Sequence, residues 1–515
     1  MQKNYFVLFL WKNCIRSLIS FLFLVTTSCS ANEQKNTNEK QLFDSYNTWL
    51  AQLQKDNDIK GMAVALFDNE KIIWSYENGY CDDGEEKKVN SETVFNIQSM
   101  SKTITTTAVL IAVQKGLIDL DKPNTNYLPG FTVNSCFEKN PQNKITMRAL
   151  LSCTAGFTHE TAIGNNYDPF FKSYEEHCKS ISDTWLKFPV GTKYSYSNLG
   201  FDLAAYIIEK VSKLSYVEFL EKELFLPLEM NFTTIDSIRI MNNQNRAFGN
   251  TFGIKSQPAI MPFLGSGAVY TNITDLVKFV QLHLNLGRKN NQQFISKDLL
   301  LEMYKPVIDN YNDYALGIAI TKEGDSYAYT HSGSGFGFGS TMKWYPEYNI
   351  GVLILTNNDF NDAVYNTASK IAAEYIKQNS IGRDTTHTNF NPLVCFEKLR
   401  TKKANMEITN HFQLKGDSLF KSEWNKYIDT YELKVGDGFK FKWYASLARF
   451  FGFKKQKVEV FEKNNFLFLK YYDGSTYHEE QKLIEHFPGL FFTQDGETLD
   501  FRKVPTRYRN IELVR

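Results

Sequence analysis

The pattern of apolar and polar positions first predicts a helix and a hairpin. Residues 41–54 place apolar side chains at helical spacing, which predicts an amphipathic helix. The β-rich runs Met62–Phe67 and Ile72–Tyr76 flank the polar turn 68–70, which predicts a β-hairpin. The folded part of the chain is therefore expected to open with a helix followed by two antiparallel strands.

A long apolar run follows the hairpin. Ile104–Val113 is apolar or Thr throughout, and its β-branched residues make a buried strand an alternative. Counted from Ser101, however, the run is too long for a typical strand, and Gly116 is the kind of residue that follows a helix C-terminus. We predict a central helix that is buried on all sides because it is apolar on all sides.

The remaining periodic segments complete an α+β pattern. They are helices at 199–213, 273–286 and 362–378 and strands at Tyr314–Thr321, Gly339–Trp344 and Ile350–Thr356. Helix, two strands, a helical middle, three strands and a helix predict an antiparallel sheet flanked by its terminal helices, with a helical subdomain. We assign this domain to residues 41–378.

A polar segment without apolar periodicity, residues 379–392, is interpreted as a linker. Beyond it, short alternating runs are separated by Asn-Asn and Asp-Gly turns and predict a small C-terminal all-β domain over residues 393–515. The predicted strands are Val458–Phe461, Phe466–Tyr472, Leu490–Thr493 and Thr498–Val504. One hypothesis is that this domain is an interaction module that localises the protein.

The first 29 residues have the pattern of a signal peptide. Basic residues precede the apolar run Ser17–Val25, which is too short to span a membrane. Small residues then lead to Cys29, and residues 30–40 form a polar spacer. This arrangement is similar to a bacterial lipoprotein processing site and implies lipidation of Cys29, although plain secretion with an incidental cysteine is the alternative. Either way we expect export to the bacterial cell envelope, and lipidation would add a membrane anchor.

Composition narrows the possible functions. The chain has 515 residues, which exceeds what one core usually serves, and 43% of them are hydrophobic. The formal net charge is +1, which gives no reason to expect a nucleic-acid partner. The cysteines after Cys29 show no CxxC and no ligand-like spacing, so we expect no metal site.

The chemistry is predicted at Ser99 and Lys102, where the central helix begins. A serine hydroxyl is a weak nucleophile until a neighbouring group takes its proton. The i, i+3 spacing brings Lys102 to the helical face of Ser99, and a desolvated lysine can lose its proton near neutral pH. The spacing alone is weak evidence, because Ser418–Lys421 repeats it.

Two further motifs follow Ser99 in a fixed order. Tyr196-Ser197-Asn198 lies in the middle of the chain, and His331-Ser332-Gly333 follows directly before a predicted strand. Ser-x-x-Lys, Tyr-x-Asn and a basic residue-x-Gly resemble the class C β-lactamase and penicillin-binding-protein family of serine hydrolases. The segments that carry the same resemblance are residues 97–103, 149–157, 265–271 and 314–317. The resemblance covers residues 42–378 and implies the β-lactamase/transpeptidase-like fold.

The resemblance also implies roles for these residues. Ser99 is the nucleophile that forms an acyl-enzyme, and Lys102 takes its proton or sets the charge of the site. Tyr196 is the alternative base and the donor to the leaving group. Asn198 holds the substrate amide or the Lys102 side chain. The backbone N–H groups of Ser99 and Ser334 form the oxyanion hole, beside Ser332 and Gly333.

His331 departs from the β-lactamase pattern, in which a lysine stands at this position. A histidine is mostly neutral at pH 7 and cannot hold a substrate carboxylate as a permanent cation does. We therefore expect an acyl hydrolase for esters or amides that needs no cofactor: an esterase, a D-amino-acid peptidase or a weak β-lactamase. The alternative is an envelope sensor or penicillin-binding protein that is acylated and not turned over.

Overall fold

The structure is a computed structural model of the chain. It describes residues 37–82, 84, 86–164, 173–251, 254–255, 261–308, 313–324, 326–358, 362–382, 419–433, 456–473, 476–477, 480–503, 507–509 and 511–514. The predicted signal peptide with Cys29 lies outside these residues, as do most of the spacer and residues 383–392 of the predicted linker.

The described part of the chain forms two units. The first ends at Asp58 and contributes one helix, α1 (37–56), which confirms the helix predicted over 41–54. The second unit runs from Ile59 to Arg515. Its helices are α2 (Ser101–Gln114), α3 (Met147–Leu151), α4 (Tyr174–Ser180), α5 (Asn198–Ser212), α6 (Tyr216–Leu220), α7 (Ser237–Asn242), α8 (Leu264–Gly267), α9 (Ile273–Leu284), α10 (Lys297–Glu302) and α11 (Asp362–Gln378).

The strands fall into two sheets and several short pairs. Those before residue 360 are β1 (Gly61–Asp68), β2 (Ile72–Gly79), β3 (Phe95–Asn96), β4 (Asn250–Thr251), β5 (Ile254–Lys255), β6 (Tyr270–Thr271), β7 (Arg288–Lys289), β8 (Gln292–Gln293), β9 (Ala319–Glu323), β10 (Ser326–Gly335), β11 (Phe338–Tyr345) and β12 (Ile350–Thr356). Those of the tail are β13 (Asp429–Leu433), β14 (Gln456–Lys463), β15 (Phe466–Asp473), β16 (Thr476–Tyr477), β17 (Gln481–Lys482), β18 (Ile484–Phe487), β19 (Leu490–Phe492), β20 (Thr498–Asp500), β21 (Arg507–Tyr508) and β22 (Ile511–Val514).

The main sheet is antiparallel, and within the described residues it has six strands in the order β2-β1-β12-β11-β10-β9. Successive side chains of a strand point to opposite faces. On β11, Trp344 lies against His283 of α9, whereas Lys343 bonds Ser369 of α11. Helices α9 and α11 therefore cover opposite faces, and both β11 and β12 are buried along their whole length.

The sheet corrects one expectation. The sequence predicted a strand over Tyr314–Thr321 and placed the His331 motif before the next strand. Instead β9 begins at Ala319, and the motif lies inside an additional strand, β10, which pairs with β11 through Ser332 and Thr341. The composition of β10, mostly small or polar residues, hides its strand character, which comes from pairing on both sides.

Helix α2 is the predicted central helix. Each residue from Ser101 to Ala112 is buried, so the prediction of a helix enclosed on all sides is confirmed. It packs against α5 and α8 of the helical subdomain. Helix α5 begins where the Ser197 hydroxyl accepts a hydrogen bond from the backbone N–H of Leu199, an N-cap that places the Tyr196 motif beside α2.

The tail forms a second antiparallel sheet, whose strands run in the order β16-β15-β14-β13-β22-β21-β20-β19-β18 while β17 pairs with β15. Its core contains Trp424, Tyr431, Leu469 and Phe491, all buried. The predicted all-β character of the tail is confirmed. The strands β13, β16, β17, β18, β21 and β22 were not predicted from the sequence.

Candidate active site

Ser99 lies in a short 3₁₀ turn, Gln98–Met100, that leads directly into α2. The turn requires φ of +48° at Gln98, a region that residues other than glycine rarely adopt. The Asn96 side chain stabilises it by accepting the Gln98 backbone N–H at 2.7 Å. Gln98 and Met100 are buried, whereas Ser99 keeps partial exposure, so the turn leaves the serine accessible.

Lys102 is fully buried beside it. Its Nζ atom donates to Ser99 Oγ at 3.0 Å and to the carbonyl oxygen of Ser266 at 2.9 Å. Among the described residues, no carboxylate contacts this ammonium group. Burial lowers the pKa of Lys102 to about 8, although the negative charge of Asp202 opposes the shift. A fraction of this lysine is therefore neutral near pH 7.

Tyr196 completes a three-residue cluster. Its phenol interacts with the Ser99 side chain, and Lys102 Nζ lies 4.9 Å from its ring centroid. Removal of the phenol from water by burial raises the pKa of Tyr196 above its ordinary value, and the interaction with Ser99 only partly offsets this effect. The phenol therefore stays protonated at neutral pH.

Asn198 is the first residue of α5 and is buried. Its side-chain amide donates to Glu160 Oε1 at 3.4 Å. The described contacts of this amide do not include Lys102, one of the two partners that the sequence suggested.

The residues of the third motif lie on β10, which runs past the nucleophile turn. A Cβ atom added at Gly333 would lie 2.1 Å from the Ile97 carbonyl oxygen, so only glycine permits this close approach. Ser332 Oγ lies 2.6 Å from Thr341 Oγ1 across the sheet, and Ser334 is exposed at the end of the strand. The structure thus brings Gly333 and Ser334 beside the Ser99 turn.

His331 is neutral in this environment. Its Nδ1 lies 2.8 Å from the carbonyl oxygen of Ser332, which can only accept, so Nδ1 carries the hydrogen. Its Nε2 then accepts from the Tyr314 hydroxyl at 3.0 Å. Burial lowers the pKa of His331 to about 3, and the charge of Lys102 adds to the effect. The third motif therefore offers no cation to a substrate.

Several residues of the site carry no sequence motif. The His159 ring stacks on Tyr196 at a centroid distance of 5.8 Å, and its Nδ1 lies 2.7 Å from Glu160 Oε1. Behind Lys102, Asp202 is fully buried and binds Ser266. A single acidic residue in the apolar run of α5 was a signal for Asp202. The sequence placed His159 near the loop at residues 149–157, but neither His159 nor Glu160 belongs to a motif.

The described residues contain no group of three His, Cys, Asp or Glu side chains arranged to hold a metal ion. Close to Ser99, His159 contacts Glu160 through Nδ1 and Oε1.

The antiparallel sheet, the buried helix α2 and the serine–lysine pair at its start together define a protein with the β-lactamase and penicillin-binding-protein fold. The chain belongs to the β-lactamase family, whose model, described as Beta-lactamase, matches residues 47–375. Penicillin-binding protein 4* of Bacillus subtilis (strain 168) is 25% identical over 335 residues, which cover 59% of this chain and 69% of that protein. Protein flp of Staphylococcus aureus (strain MW2) is 26% identical over 316 residues, or 59% of this chain and 61% of that protein.

Solved structures resemble a larger part of the chain. The octameric penicillin-binding protein homologue from Pyrococcus abyssi has a TM-score of 0.55 at 17% identity, over 90% of this chain and 94% of its own. The structure of SurE with D-Leu has a TM-score of 0.54 at 19% identity, over 92% and 99%. At these identities the similarity establishes the fold, including the β-rich tail, and not the substrate.

Proposed function

We propose that this protein is a serine acyl hydrolase that cleaves an ester or amide through an acyl-enzyme on Ser99. The observation that carries the proposal is the 3.0 Å hydrogen bond between Lys102 Nζ and Ser99 Oγ, made by a buried lysine whose pKa is lowered to about 8. A base of this kind is suited to proton transfer near neutral pH. The family match to the β-lactamases supports the same class of chemistry.

In the first half-reaction, Ser99 Oγ attacks the carbonyl carbon of the substrate while its proton passes to neutral Lys102. We favour Lys102 over Tyr196 as the base because the raised pKa of the Tyr196 phenol disfavours the phenolate. The backbone N–H groups of Ser99 and Ser334 stabilise the oxyanion of the tetrahedral intermediate.

Collapse of that intermediate expels the leaving group, which takes a proton from the Tyr196 hydroxyl, and Tyr196 is reprotonated from Lys102. Water then attacks the acyl-enzyme carbonyl while neutral Lys102 accepts a proton from it. When the second tetrahedral intermediate collapses, Ser99 Oγ departs and takes this proton from Lys102, and the acid product is released. In this scheme Asn198, fixed by Glu160, donates to the substrate amide or ester carbonyl.

The surroundings of Ser99 favour substrates without an obligatory free carboxylate. His331 is neutral and both of its nitrogens have partners within the protein. The rings of Tyr196, Tyr194 and Tyr314 are grouped at centroid distances of 5.6 to 6.1 Å. Such a surface suits an apolar acyl or alcohol group, so we favour esters and uncharged amides over penicillins.

The test is intact-mass analysis after exposure to a fluorophosphonate. Wild type is compared with Ser99→Ala and with Ser369→Ala, a matched control because Ser369 also contacts a buried lysine. We expect one adduct on wild type and on Ser369→Ala and none on Ser99→Ala. An adduct that persists in Ser99→Ala, or no adduct on any protein, would contradict the proposal.

Substrate class is tested with a short-chain p-nitrophenyl ester and a penicillin. Ester turnover without a penicillin adduct is the expected result. A penicillin adduct that persists without turnover would instead support the alternative function, a penicillin-binding or sensor protein on the same fold.

We also propose that the protein is exported to the bacterial cell envelope and anchored by lipidation of Cys29. The support is the basic and apolar pattern before Cys29 and the bacterial source of the relatives named above. No helix in the described part of the chain is long and apolar enough to cross a membrane. A Cys29→Ser variant should leave the membrane fraction, and unchanged fractionation would contradict lipidation.

A further inference from the structure

A buried ion pair lies behind Lys102, outside the reaction described above. Asp202 on α5 and His177 on α4 have side chains that are 0% and 1% exposed. His177 Nε2 lies 3.1 Å from Asp202 Oδ2, and His177 Nδ1 lies 2.8 Å from the carbonyl oxygen of Ile163. The carbonyl and the carboxylate both accept, so the imidazole donates from both nitrogens and is an imidazolium.

The charges of this pair support each other. Burial alone would lower the pKa of His177, but the hydrogen bond and charge of Asp202 outweigh burial and hold it above its ordinary value. Asp202 in turn accepts from the backbone N–H of Ser266 at 2.9 Å and from its hydroxyl at 3.0 Å. Together with His177 Nε2, three donors therefore point at this carboxylate, and both of its oxygens accept.

Ser266 connects the ion pair to the reactive lysine. Its N–H and hydroxyl point to Asp202, and its carbonyl oxygen accepts from Lys102 Nζ at 2.9 Å. The second hydrogen bond of the lysine goes to Ser99 Oγ. Asp202 therefore fixes one of the two contacts that orient Lys102, and its negative charge acts on the ammonium group across the single residue Ser266.

Other ionisable groups also face this network. Those around Lys102 are Cys153, Glu160, Tyr196 and His331. Those around Asp202 and His177 are Tyr174, Cys178, Glu160 and Tyr216. Of the charges that raise the pKa of Lys102, that of Asp202 has the largest effect. Burial raises the pKa of each neighbouring thiol and phenol and keeps these groups neutral near pH 7; they are Cys153, Tyr174, Cys178, Tyr196 and Tyr216.

We propose that Asp202, neutralised by His177, is a positioning residue that holds the Ser266 carbonyl against Lys102 and sets how readily this lysine gives up its proton. The inference rests on the proposed function, because it assigns a cause to the reactivity of the same lysine. A buried ion pair can also serve stability alone. The two roles are separable, because only the first changes the pH at which Ser99 reacts.

The test measures the rate of fluorophosphonate labelling of Ser99 against pH in wild type, Asp202→Asn and His177→Gln. In Asp202→Asn, loss of the carboxylate charge makes proton loss from Lys102 easier. The pH at which the labelling rate is half-maximal should therefore fall by about one unit. In His177→Gln the carboxylate loses its compensating charge, and the half-maximal pH should rise. Opposite shifts from the two members of one ion pair are a result that a purely structural role does not produce.

Controls separate folding from charge. Asp202→Glu keeps the charge and should keep the half-maximal pH, and Glu323→Gln removes the carboxylate of another lysine pair and should leave it unchanged. If Asp202→Asn does not fold, the upward shift in His177→Gln alone decides the question. An unshifted profile in the folded variants would overturn the inference while leaving the proposed function intact. Absence of labelling in wild type would overturn both.

Discussion

Two serine–lysine pairs occur in the described part of this chain, and they differ in what surrounds the lysine. Lys102 and Lys343 have almost no exposed surface. Lys102 Nζ donates to Ser99 Oγ at 3.0 Å, and Lys343 Nζ donates to Ser369 Oγ at 2.6 Å. By distance and burial alone, the second pair would be the better candidate for a nucleophile and its base.

The difference is a carboxylate. Lys343 Nζ lies 2.5 Å from Glu323 Oε1, and Ser369 Oγ also donates to this carboxylate at 3.1 Å. Burial alone would raise the pKa of Glu323, but hydrogen bonds from Lys343 and Tyr345 outweigh it and hold the pKa below its ordinary value. Lys343 and Ser369 both donate to the ionised Glu323, so this lysine is held in an ion pair and does not serve the serine as a base. Asp202, the carboxylate behind Lys102, does not contact the ammonium group directly, because Ser266 lies between them. Lys102 can therefore lose its proton.

The largest expected effect is on the labelling of Ser99 when each lysine is removed. Lys102→Met should slow fluorophosphonate labelling by about 10²- to 10⁴-fold, the usual contribution of a general base. Lys343→Met should change the rate by less than about threefold, because Lys343 does not contact Ser99 and its loss removes no group of the reaction. The rates are measured by intact mass at pH 8, and similar losses in both variants would contradict the comparison.

The next effect is the pH dependence of labelling in wild type. Only neutral Lys102 accepts the Ser99 proton, and its pKa is lowered to about 8. The rate should therefore rise about tenfold for each pH unit below 8 and level off above it. Lys343→Met should keep the same profile. A rate that is flat between pH 6 and pH 9 would exclude Lys102 as the base.

A third prediction concerns the free energy of unfolding, which loss of Lys343 should lower more than loss of Lys102. Lys343→Met leaves Glu323 without its ion-pair partner and should lower the free energy of unfolding by about 2 kcal/mol, less than for a fully buried pair because Glu323 is 27% exposed. Lys102→Met removes a buried ammonium that contacts no described carboxylate and should leave stability unchanged or higher. Urea denaturation of the three proteins compares them, and a larger loss in Lys102→Met would contradict this account.

The elements around Ser99 were predictable because they are long and apolar. Helix α2 and the strands β1 and β12 are buried along nearly their whole length, and their sequences reveal them. Strand β10 was missed because its residues, Ser326 to Gly335, are mostly small or polar, and it exists through its pairing with β9 and β11.

The contacts that distinguish the two lysines could not be predicted in the same way. Motif order identified Ser99, Lys102 and Tyr196, which the fold brings together. The ion pair behind Lys102 joins His177 to Asp202, 25 residues apart, and only tertiary packing defines it. Likewise, no pattern shows that Glu323 and Ser369 meet Lys343, since the three come from β9, α11 and β11.

The smallest expected effect on the reaction comes from Glu497, a carboxylate of the tail that contacts two residues near the Ser99 site. Glu497 Oε2 accepts from the Thr158 hydroxyl at 2.9 Å, and Glu497 Oε1 lies 2.7 Å from Lys187 Nζ. The Thr158 carbonyl in turn accepts from the Ser197 hydroxyl at 2.7 Å, next to Tyr196. Glu497→Gln keeps an acceptor for Thr158 and loses the ion pair, so we expect kcat for ester cleavage to fall about three- to tenfold through displacement of Tyr196.

The matched control is Glu485→Gln, because Glu485 is also a buried carboxylate of the tail but pairs with Lys421 inside the tail itself. This variant should lose comparable stability and keep its kcat. If Glu497→Gln and Glu485→Gln reduce kcat equally, the tail affects the reaction only through overall stability. If only Glu497→Gln reduces kcat, the tail helps to hold Tyr196 in place beside Ser99. The Ser369–Lys343 pair has no such support from the tail among its described contacts.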